Sequence, residues 1–316
     1  MAQYLIRRLL SMLAVLFGVS ILVFGMIHIT PGDPARIMAG AAAGEESVQA
    51  LRRQLGLDRP VHVQYLLWIG NVLRGNLGES IVLRRPVLDE VVQRFGHTVL
   101  LASGAIVISF AVGIAIGVMS AARRGSLIDR ATIVLATVGL SLPSFWFGLV
   151  LIIVFSLKLG VLPGTGMTSP VGGGGALDIA RHLLLPSSAL AVVPLAVIAR
   201  YTRSAMLDVI QQEYVTTARA KGLAELRVLG RHVFKNALVA IVTMLGLQTG
   251  FLLAGAVYIE NVFSWPGVGQ MLVDAILKRD FPLVQGGVLL VATTYVVINL
   301  ATDLFYVYMD PRIRLA

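Results

Sequence analysis

The sequence predicts an all-α integral membrane protein with six transmembrane helices, and three observations support this prediction. Hydrophobic residues make up 57% of the 316 residues and charged residues only 14%, whereas soluble domains average about 45–50% and 25%. The mean hydropathy is correspondingly high, at +0.83. Six uncharged apolar stretches approach or exceed the ~20 residues that a helix needs to cross a ~30 Å hydrocarbon layer.

Charged residues mark the ends of these spans, because each Arg, Lys or Asp at mid-membrane costs roughly 2.5–3.5 kcal/mol. The predicted spans are Leu9–Ile29, Thr98–Ala122, Ile133–Leu157, Leu183–Ala199, Ala237–Ile259 and Pro282–Thr302. The third contains Pro143, and the short fourth contains Pro186 and Pro194. These prolines are expected to kink or break their helices. They either set the packing of the helices or line a pathway through the membrane.

The distribution of basic residues predicts that both termini are cytoplasmic. One face of the membrane receives fourteen Lys and Arg residues, and the short loops of the other face receive four. The long segment after the first span holds the remaining eight, which are discounted because long segments translocate largely regardless of charge. The formal charge of +9 is then explained by this bias, and a nucleic-acid partner is not expected. The first span is longer than a signal-sequence core, which disfavours cleavage.

The sequence contains no pattern typical of a catalytic, cofactor or metal site. Cysteine is absent, which excludes disulfides, thiolate metal ligands and thiol nucleophiles. The five histidines show no i, i+4 pair, and the glycine run Gly172–Gly175 lacks the strand and the Gly-Lys-Ser/Thr sequence of a phosphate loop. The spans offer only His28, near one end, as an ionisable group. This disfavours an ion-coupled secondary transporter, which is the rival function class.

Three parts are predicted along the chain: an N-terminal transmembrane helix (1–29), an extracytoplasmic helical insert (30–97) and a five-helix core (98–316). Within the insert, apolar spacing predicts helices over Glu45–Leu57, from Pro60 and from Pro86. The insert is interpreted either as a cap packed on the membrane protein or as a docking surface for an outside partner.

The core contains a cytoplasmic loop, residues 200–236, that reads as a helix, a glycine and a second helix. Glu213 to Lys221 is predicted to be helical, with the acid at its N-terminal end and basic residues at its C-terminal end. Gly222 is the left-handed residue that ends this helix. In the second helix, one apolar face is predicted from Leu223, Leu226, Leu229 and Val233. Small side chains beside the glycine favour close approach of another protein.

These residues resemble the B-type permease subunits of ATP-binding-cassette (ABC) importers of the dipeptide, oligopeptide and nickel family. The resemblance is carried in order by Pro31-Gly-Asp-Pro34, Leu55-Gly-Leu-Asp-Arg-Pro60, Gly75-Asn-Leu-Gly78, Thr217-Ala-Arg-Ala-Lys-Gly222, Glu260-Asn-Val-Phe-Ser-Trp-Pro-Gly-Val-Gly269, Arg279-Asp-Phe-Pro282 and Asp310-Pro-Arg312. It implies the type I ABC importer permease fold.

The resemblance also implies an assembly in the bacterial inner membrane, in contact with lipid. The implied partners are a second, C-type permease subunit, two cytosolic ATPases that use ATP and Mg²⁺, and an extracytoplasmic substrate-binding protein. This chain is then a non-catalytic subunit that forms half of the pathway. Di- and oligopeptides are the expected cargo, and glutathione, chelated nickel and oligosaccharides are the alternatives within the class.

Two sets of site residues follow from the resemblance. The residues expected to couple to the ATPases are Glu213, Tyr214, Thr217, Ala218, Arg219, Ala220, Lys221 and Gly222. The Glu-Ala-Ala positions of the general coupling motif fall on Thr216, Thr217 and Ala218, so the motif's acid and first alanine are missing. The residues of an extracytoplasmic gate or docking segment are Glu260, Trp265, Pro266 and Gly267, with an interfacial aromatic anchor at Trp265 as the alternative.

Overall fold

The computed structural model describes residues 2–29, 34–39, 44–54, 56–170 and 174–309, and across these ranges the regular structure is helical. The N-terminal helices are α1 (Ala2–Ile29), α2 (Pro34–Ala39), α3 (Glu45–Gln54) and α4 (Val61–Leu73). The central helices are α5 (Val87–Ala122), α6 (Leu127–Ser141), α7 (Ser144–Leu151), α8 (Ala176–Ile210) and α9 (Glu213–Ala220). The C-terminal helices are α10 (Glu225–Arg227), α11 (Lys235–Val262), α12 (Val268–Leu277) and α13 (Phe281–Met309). π-Helical turns, Ile152–Lys158 and Val228–Phe234, continue α7 and join α10 to α11.

Five of these helices are long and apolar enough to cross a membrane: α1, α5, α8, the continuous helix Glu225–Val262, and α13. The sixth predicted span is the pair Leu127–Ser141 and Ser144–Lys158, whose two halves are bent by 104°. The prediction of six apolar segments is confirmed when this bent pair is counted as one span. The third span is therefore not a straight helix.

The prolines behave differently from one another, although the same break or kink was predicted for each. Pro143 lies in the bend, where α6 ends at Ser141 and α7 begins at Ser144. In contrast, α8 runs without interruption through Pro186 and Pro194 and is 35 residues long. The prediction of a short fourth span was therefore wrong. Both prolines are buried in α8, and a proline inside a helix is tolerated where packed neighbours stabilise the backbone around it.

The helices predicted between the first two spans are present with changed bounds. α3 begins at Glu45 as predicted, and α4 follows Pro60, which is its N-cap residue. The helix predicted from Pro86 is not separate from the second span, because α5 runs unbroken from Val87 to Ala122. Pro31–Asp33, Leu55 and the tail residues from Asp310 lie outside the described residues.

The chain divides into two compact units. One consists of Met1–Gly96 with Gln270–Val297, and the other of His97–Gly269 with Ile298–Ala316. The division into parts 1–29, 30–97 and 98–316 stays a prediction. In the second unit, residues of α5 and α8 approach closely through glycines: a Cβ added to Gly117 would lie 2.6 Å from the carbonyl oxygen of Ala199 and 2.6 Å from Cβ of Thr202. Small residues of this kind allow helix backbones to pack tightly within a membrane.

Candidate functional site

The short helix α9 lies in the connection between α8 and α11, and it matches the predicted coupling helix to within one residue. Gln212 is extended and precedes the helix, Glu213 lies in its first turn and Arg219 in its last. The negative Glu213 is thus at the positive end of the helix dipole and the positive Arg219 at its negative end, and both positions stabilise the helix.

The helix ends in a turn that requires a left-handed residue, and Gly222 has a φ of +74° there. The amide of Gly222 donates to the carbonyl oxygen of Arg219 at 2.9 Å, and the amide of Lys221 donates to that of Thr217 at 3.1 Å. A Cβ added to Gly222 would meet no atom within 4 Å. The turn therefore favours glycine because of its backbone conformation and not because of crowding within this chain.

α9 has one buried and one exposed face. Val215 and Ala218 are buried and pack in an apolar cluster with Met206 of α8, Val228 and Val233 of the π-helical turn, and Ala237 of α11. The opposite side, which we call the α9 outer face, consists of Glu213, Thr216, Thr217 and Ala220, all of them exposed. Their spacing of 3, 4 and 7 residues places them on one side of the helix. The buried face anchors α9, and the α9 outer face carries three small side chains and the Glu213 carboxylate.

An ion pair holds the two sides of the Gly222 turn together. Arg219 donates to Glu225 through Nη2 at 2.7 Å and through Nε at 3.1 Å. The hydrogen bond to the Glu225 carboxylate raises the pKa of Arg219 above its ordinary value, so the guanidinium remains charged. Because the two side chains are 39% and 56% exposed, the pair is expected to contribute at most about 1 kcal/mol to stability.

The face predicted for the second helix was wrong at one position. Leu226 is 87% exposed, whereas Val228 is completely buried and shares the apolar cluster with Val233. The reason is that residues Val228–Phe234 form a π-helical turn. Its i→i+5 hydrogen bonds change the angular spacing of side chains from the regular spacing of an α-helix.

The second predicted set of residues forms a buried polar turn around Glu260. The Glu260 carboxylate accepts hydrogen bonds from Oγ1 of Thr98 at 2.6 Å and from the amide of Gly269 at 2.6 Å. The amide of Val268 in turn donates to Thr98 Oγ1 at 2.9 Å. A buried carboxylate needs such donors, since unpaired burial of a charge is very costly. Glu260 therefore ties the turn after α11 to Thr98 in the N-terminal half of α5.

Trp265 is part of this buried turn. Its indole is fully buried, and Nε1 donates to the carbonyl oxygen of His97 at 2.9 Å. Nδ1 of His97 lies 2.8 Å from the carbonyl oxygen of Pro266. The alternative interpretation of Trp265 as an interfacial aromatic anchor was wrong, because the ring is enclosed by the protein itself.

Comparison with known proteins identifies the family. Residues 113–315 match the family described as the binding-protein-dependent transport system inner membrane component, and residues 1–102 match the N-terminal region of such membrane components. The chain belongs to this family. It is therefore a multi-pass inner-membrane permease of a binding-protein-dependent ABC importer and not an ion-coupled secondary transporter.

Three relatives resemble this permease over 99% of both chains. It is 44% identical to the di/tripeptide transport system permease protein DppB of Pseudomonas aeruginosa (strain UCBPP-PA14). It is 43% identical to the dipeptide transport system permease protein DppB of Escherichia coli (strain K12). It is 42% identical to the glutathione transport system permease protein GsiC of the same strain.

Solved structures confirm the fold. A chain of the MetNI methionine ABC transporter in an inward-facing conformation aligns with a TM-score of 0.56 at 18% identity, covering 70% of the permease and 96% of that chain. An amino acid ABC transporter aligns with a TM-score of 0.54 at 16% identity, covering 69% and 93%. The predicted type I ABC importer permease fold is confirmed, and at this identity the likeness shows the fold alone.

The structure of the permease also contains an ion pair that was not predicted from the sequence, between a buried carboxylate and a guanidinium whose side chain is 21% exposed. Arg203 of α8 donates to both carboxylate oxygens of Asp129 in α6, at 2.6 and 2.9 Å. The same carboxylate accepts from Oγ of Ser120 at 2.6 Å and from the amide of Gly125 at 2.9 Å. Asp129 is only 3% exposed. This group, which we call the Asp129 cluster, joins the end of α5, the turn before α6, and α8.

A second missed carboxylate is Asp280, immediately before α13. It accepts hydrogen bonds from Ser80 Oγ and from the amides of Ile81 and Val82, both at 3.1 Å, and it is 1% exposed. The amide of Leu283 donates to the same side chain at 3.4 Å. The available signal was an aspartate directly before an apolar helix, which is a preferred N-cap residue. Its partners lie about 200 residues away in sequence, so the sequence contains no signal for them.

Substitution of Gly267 by alanine is expected to destabilise the permease strongly. A Cβ at this position would lie 2.2 Å from Glu260 Oε1 and 2.3 Å from Cδ, and both glycine and carboxylate are buried. Overpacking of this kind costs about 1–3 kcal/mol. We expect a lower midpoint of thermal unfolding for the purified protein in detergent.

Gly255→Ala is the matched control, because it also adds one methyl group to a glycine of this region. Its Cβ would meet only Leu190 Cδ1, at an ordinary 3.4 Å. Unchanged unfolding midpoints for both variants would show that the turn around Glu260 is not rigid.

Proposed function

We propose that this permease is the B-type membrane subunit of an ATP-driven importer of di- and tripeptides. The observation that carries the proposal is the identity of 44% and 43% to two permeases of peptide transport systems over 99% of each chain. Because the match covers 99% of each chain, it includes the whole membrane core and the segment between α1 and α5. The Glu260–Gly269 turn and the α9 helix lie within the matched length.

The chain acts mechanically in this proposal, and ATP with Mg²⁺ is used by two partner ATPases. The α9 outer face is the surface that the ATPases contact, since its four side chains are exposed and three of them are small. The buried face of α9 packs with residues of α8 and α11. Displacement of α9 by a closing ATPase pair is therefore transmitted to two transmembrane helices instead of being absorbed in a flexible loop.

The proposed arrangement in the membrane follows from the charges. Both termini and the α9 segment face the cytoplasm, on the side of the membrane that receives fourteen of the 26 Lys and Arg residues. The opposite side contains residues 30–97 and the Glu260–Gly269 turn, and the substrate-binding protein docks there. Because Glu260 and Trp265 are buried, they shape this turn, and neighbouring exposed residues such as Asn261 and Ser264 make the contact. A C-type permease completes the pathway.

Reconstitution of the assembly tests the function. The permease would be placed in proteoliposomes with its C-type partner, the ATPases and the binding protein, and uptake of a labelled dipeptide measured with and without ATP. ATP-dependent accumulation of the dipeptide is the expected result. Accumulation driven by an ion gradient, or by the permease alone, would contradict the proposal.

Glutathione is the second candidate cargo, because the permease is 42% identical to a glutathione transport system permease over 99% of each chain. The same vesicles distinguish the two cargoes. A dipeptide importer accumulates the labelled dipeptide even in the presence of excess glutathione, whereas a glutathione importer accumulates labelled glutathione and not the dipeptide. Binding of each compound to the isolated binding protein gives an independent measurement.

Cysteine cross-linking tests the α9 outer face, and it is specific because the chain has no native cysteine. A cysteine at Ala220, which is exposed, is expected to cross-link to an ATPase subunit. A cysteine at Ala218 is the matched control, because this alanine is on the same helix but only 6% exposed. Equal cross-linking at the two positions would show that α9 does not dock in this orientation.

A further inference from the structure

The helix α4 presents an apolar surface that the described part of the chain leaves uncovered. None of its residues is buried, although its sequence is strongly apolar. Leu66, Leu67 and Leu73 are 64%, 48% and 81% exposed. Val63 and Gly70 lie on the same side of the helix, because these five residues follow Val63 at intervals of 0, 3, 4, 7 and 10 residues. Together they form one stripe along α4.

The opposite side of α4 packs on α1. The rings of Tyr65 and Trp68 lie 5.4 and 5.7 Å from the ring of Phe24, measured between centroids. The hydroxyl of Tyr65 is 2.8 Å from Oγ of Ser20. The stripe of Leu66, Leu67 and Leu73 therefore faces away from α1.

The contacts with α1 define how deep α4 lies. α1 is a candidate membrane span over Ile6–Ile29. At ~1.5 Å per residue, Phe24 is ~7.5 Å and Ser20 ~13.5 Å inside the Ile29 end. Half of the hydrocarbon layer is ~15 Å thick. Both contacts therefore fall within one half-layer's depth of the Ile29 end of the span.

The flanking residues match this depth. Between Arg59 and Arg74 the sequence contains no charged side chain other than the titratable His62. The 13 residues of α4 extend ~20 Å, too short to cross the bilayer. Arginine side chains at both ends of such a segment reach the head-group region while their stems remain in apolar surroundings.

We propose that α4 is embedded in one leaflet, with the stripe of Val63, Leu66, Leu67, Gly70 and Leu73 in direct contact with lipid acyl chains. The segment between α1 and α5 is then anchored in the bilayer by α4 itself, in addition to its covalent connection to α1. Acyl chains fit the stripe because it has no hydrogen-bonding side chain and lies at hydrocarbon depth. This inference does not depend on the cargo of the transporter.

Spin-label accessibility tests the proposal. Single cysteines at Leu66 and Leu67 would be labelled with a nitroxide in the assembled transporter in lipid nanodiscs, with cysteine-free partner subunits. Leu22, which is 72% exposed on α1, serves as the lipid reference. Asp58, exposed just before α4, serves as the water reference. Oxygen concentrates in hydrocarbon, whereas a nickel chelate remains in water.

The expected result is a ratio of oxygen to nickel accessibility at positions 66 and 67 that equals the ratio at Leu22 and is several-fold above that at Asp58. A ratio equal to that at Asp58 would place α4 in water. Low accessibility to both reagents would place a partner protein on the stripe. Either of these outcomes overturns the proposal, and both are independent of dipeptide uptake.

Discussion

Replacement of Gly222 by valine is expected to reduce uptake by the reconstituted transporter by roughly an order of magnitude or more. Gly222 has a φ of +74°, and a side chain in this region costs about 1–2 kcal/mol or more, which reduces the population of the turn roughly 5–30-fold. Because an added Cβ would meet no atom of this chain, insertion and folding of the transmembrane helices are expected to be unchanged. The measurements are vesicle uptake and substrate-stimulated ATP turnover.

Gly222→Asn is the matched control, since asparagine adopts the left-handed region far more readily than valine. Asparagine adds a side chain similar in size to that of valine, yet the Gly222→Asn variant is expected to retain most of the uptake. If both variants lose uptake equally, close approach of a partner to Gly222, and not the backbone conformation, is the cause. Normal ATP turnover and uptake in the valine variant would contradict the coupling role of α9.

Asp129→Asn is expected to lower the stability of the purified permease markedly. The substitution leaves the Arg203 guanidinium without its anionic partner in a position where Asp129 is 3% exposed. The Arg203 side chain is 21% exposed, so water partly solvates the charge that remains, and the cost is expected to be about 1–3 kcal/mol, below that of breaking a fully buried pair. The measurement is the midpoint of thermal unfolding in detergent, together with the yield of folded protein.

The double variant Asp129→Asn, Arg203→Gln provides the decisive comparison. It removes both charges, so it is expected to be more stable than Asp129→Asn alone, and the cycle of four proteins isolates the interaction between the two side chains. Strictly additive effects would show that the pair contributes no coupling. Asp208 is an exposed aspartate of α8, so Asp208→Asn is the control for loss of a carboxylate and is expected to change the midpoint little.

Much of the fold was predictable because the cost of a charge in lipid marks the ends of apolar segments. Arg123, Arg124 and Lys235 lie close to the ends of such segments, and the prediction of their number was confirmed. The end of α9 was predictable for a local reason, since a glycine after a short amphipathic helix favours the left-handed turn observed at Gly222.

The buried polar groups were not predictable, because each depends on residues distant in the chain. Asp129 and Arg203 are 74 positions apart, and Thr98 and Glu260 are 162 apart. Trp265 shows the same limit: an indole after an apolar span is typical of an interfacial anchor, and only packing against its own unit makes it a core residue.

The sequence by itself determined the membrane class of this protein, its six apolar segments, the helix–glycine pattern of the α9 segment and its resemblance to one permease family. These are properties of composition and of short spacings, which local energetics decide. The tertiary structure decided that Pro143 lies in a 104° bend while Pro186 and Pro194 lie within an unbroken helix. It also decided that Ala218 faces inward and Leu226 outward. The physical reason is that burial and hydrogen-bond satisfaction depend on neighbours in space, which no short stretch of sequence specifies.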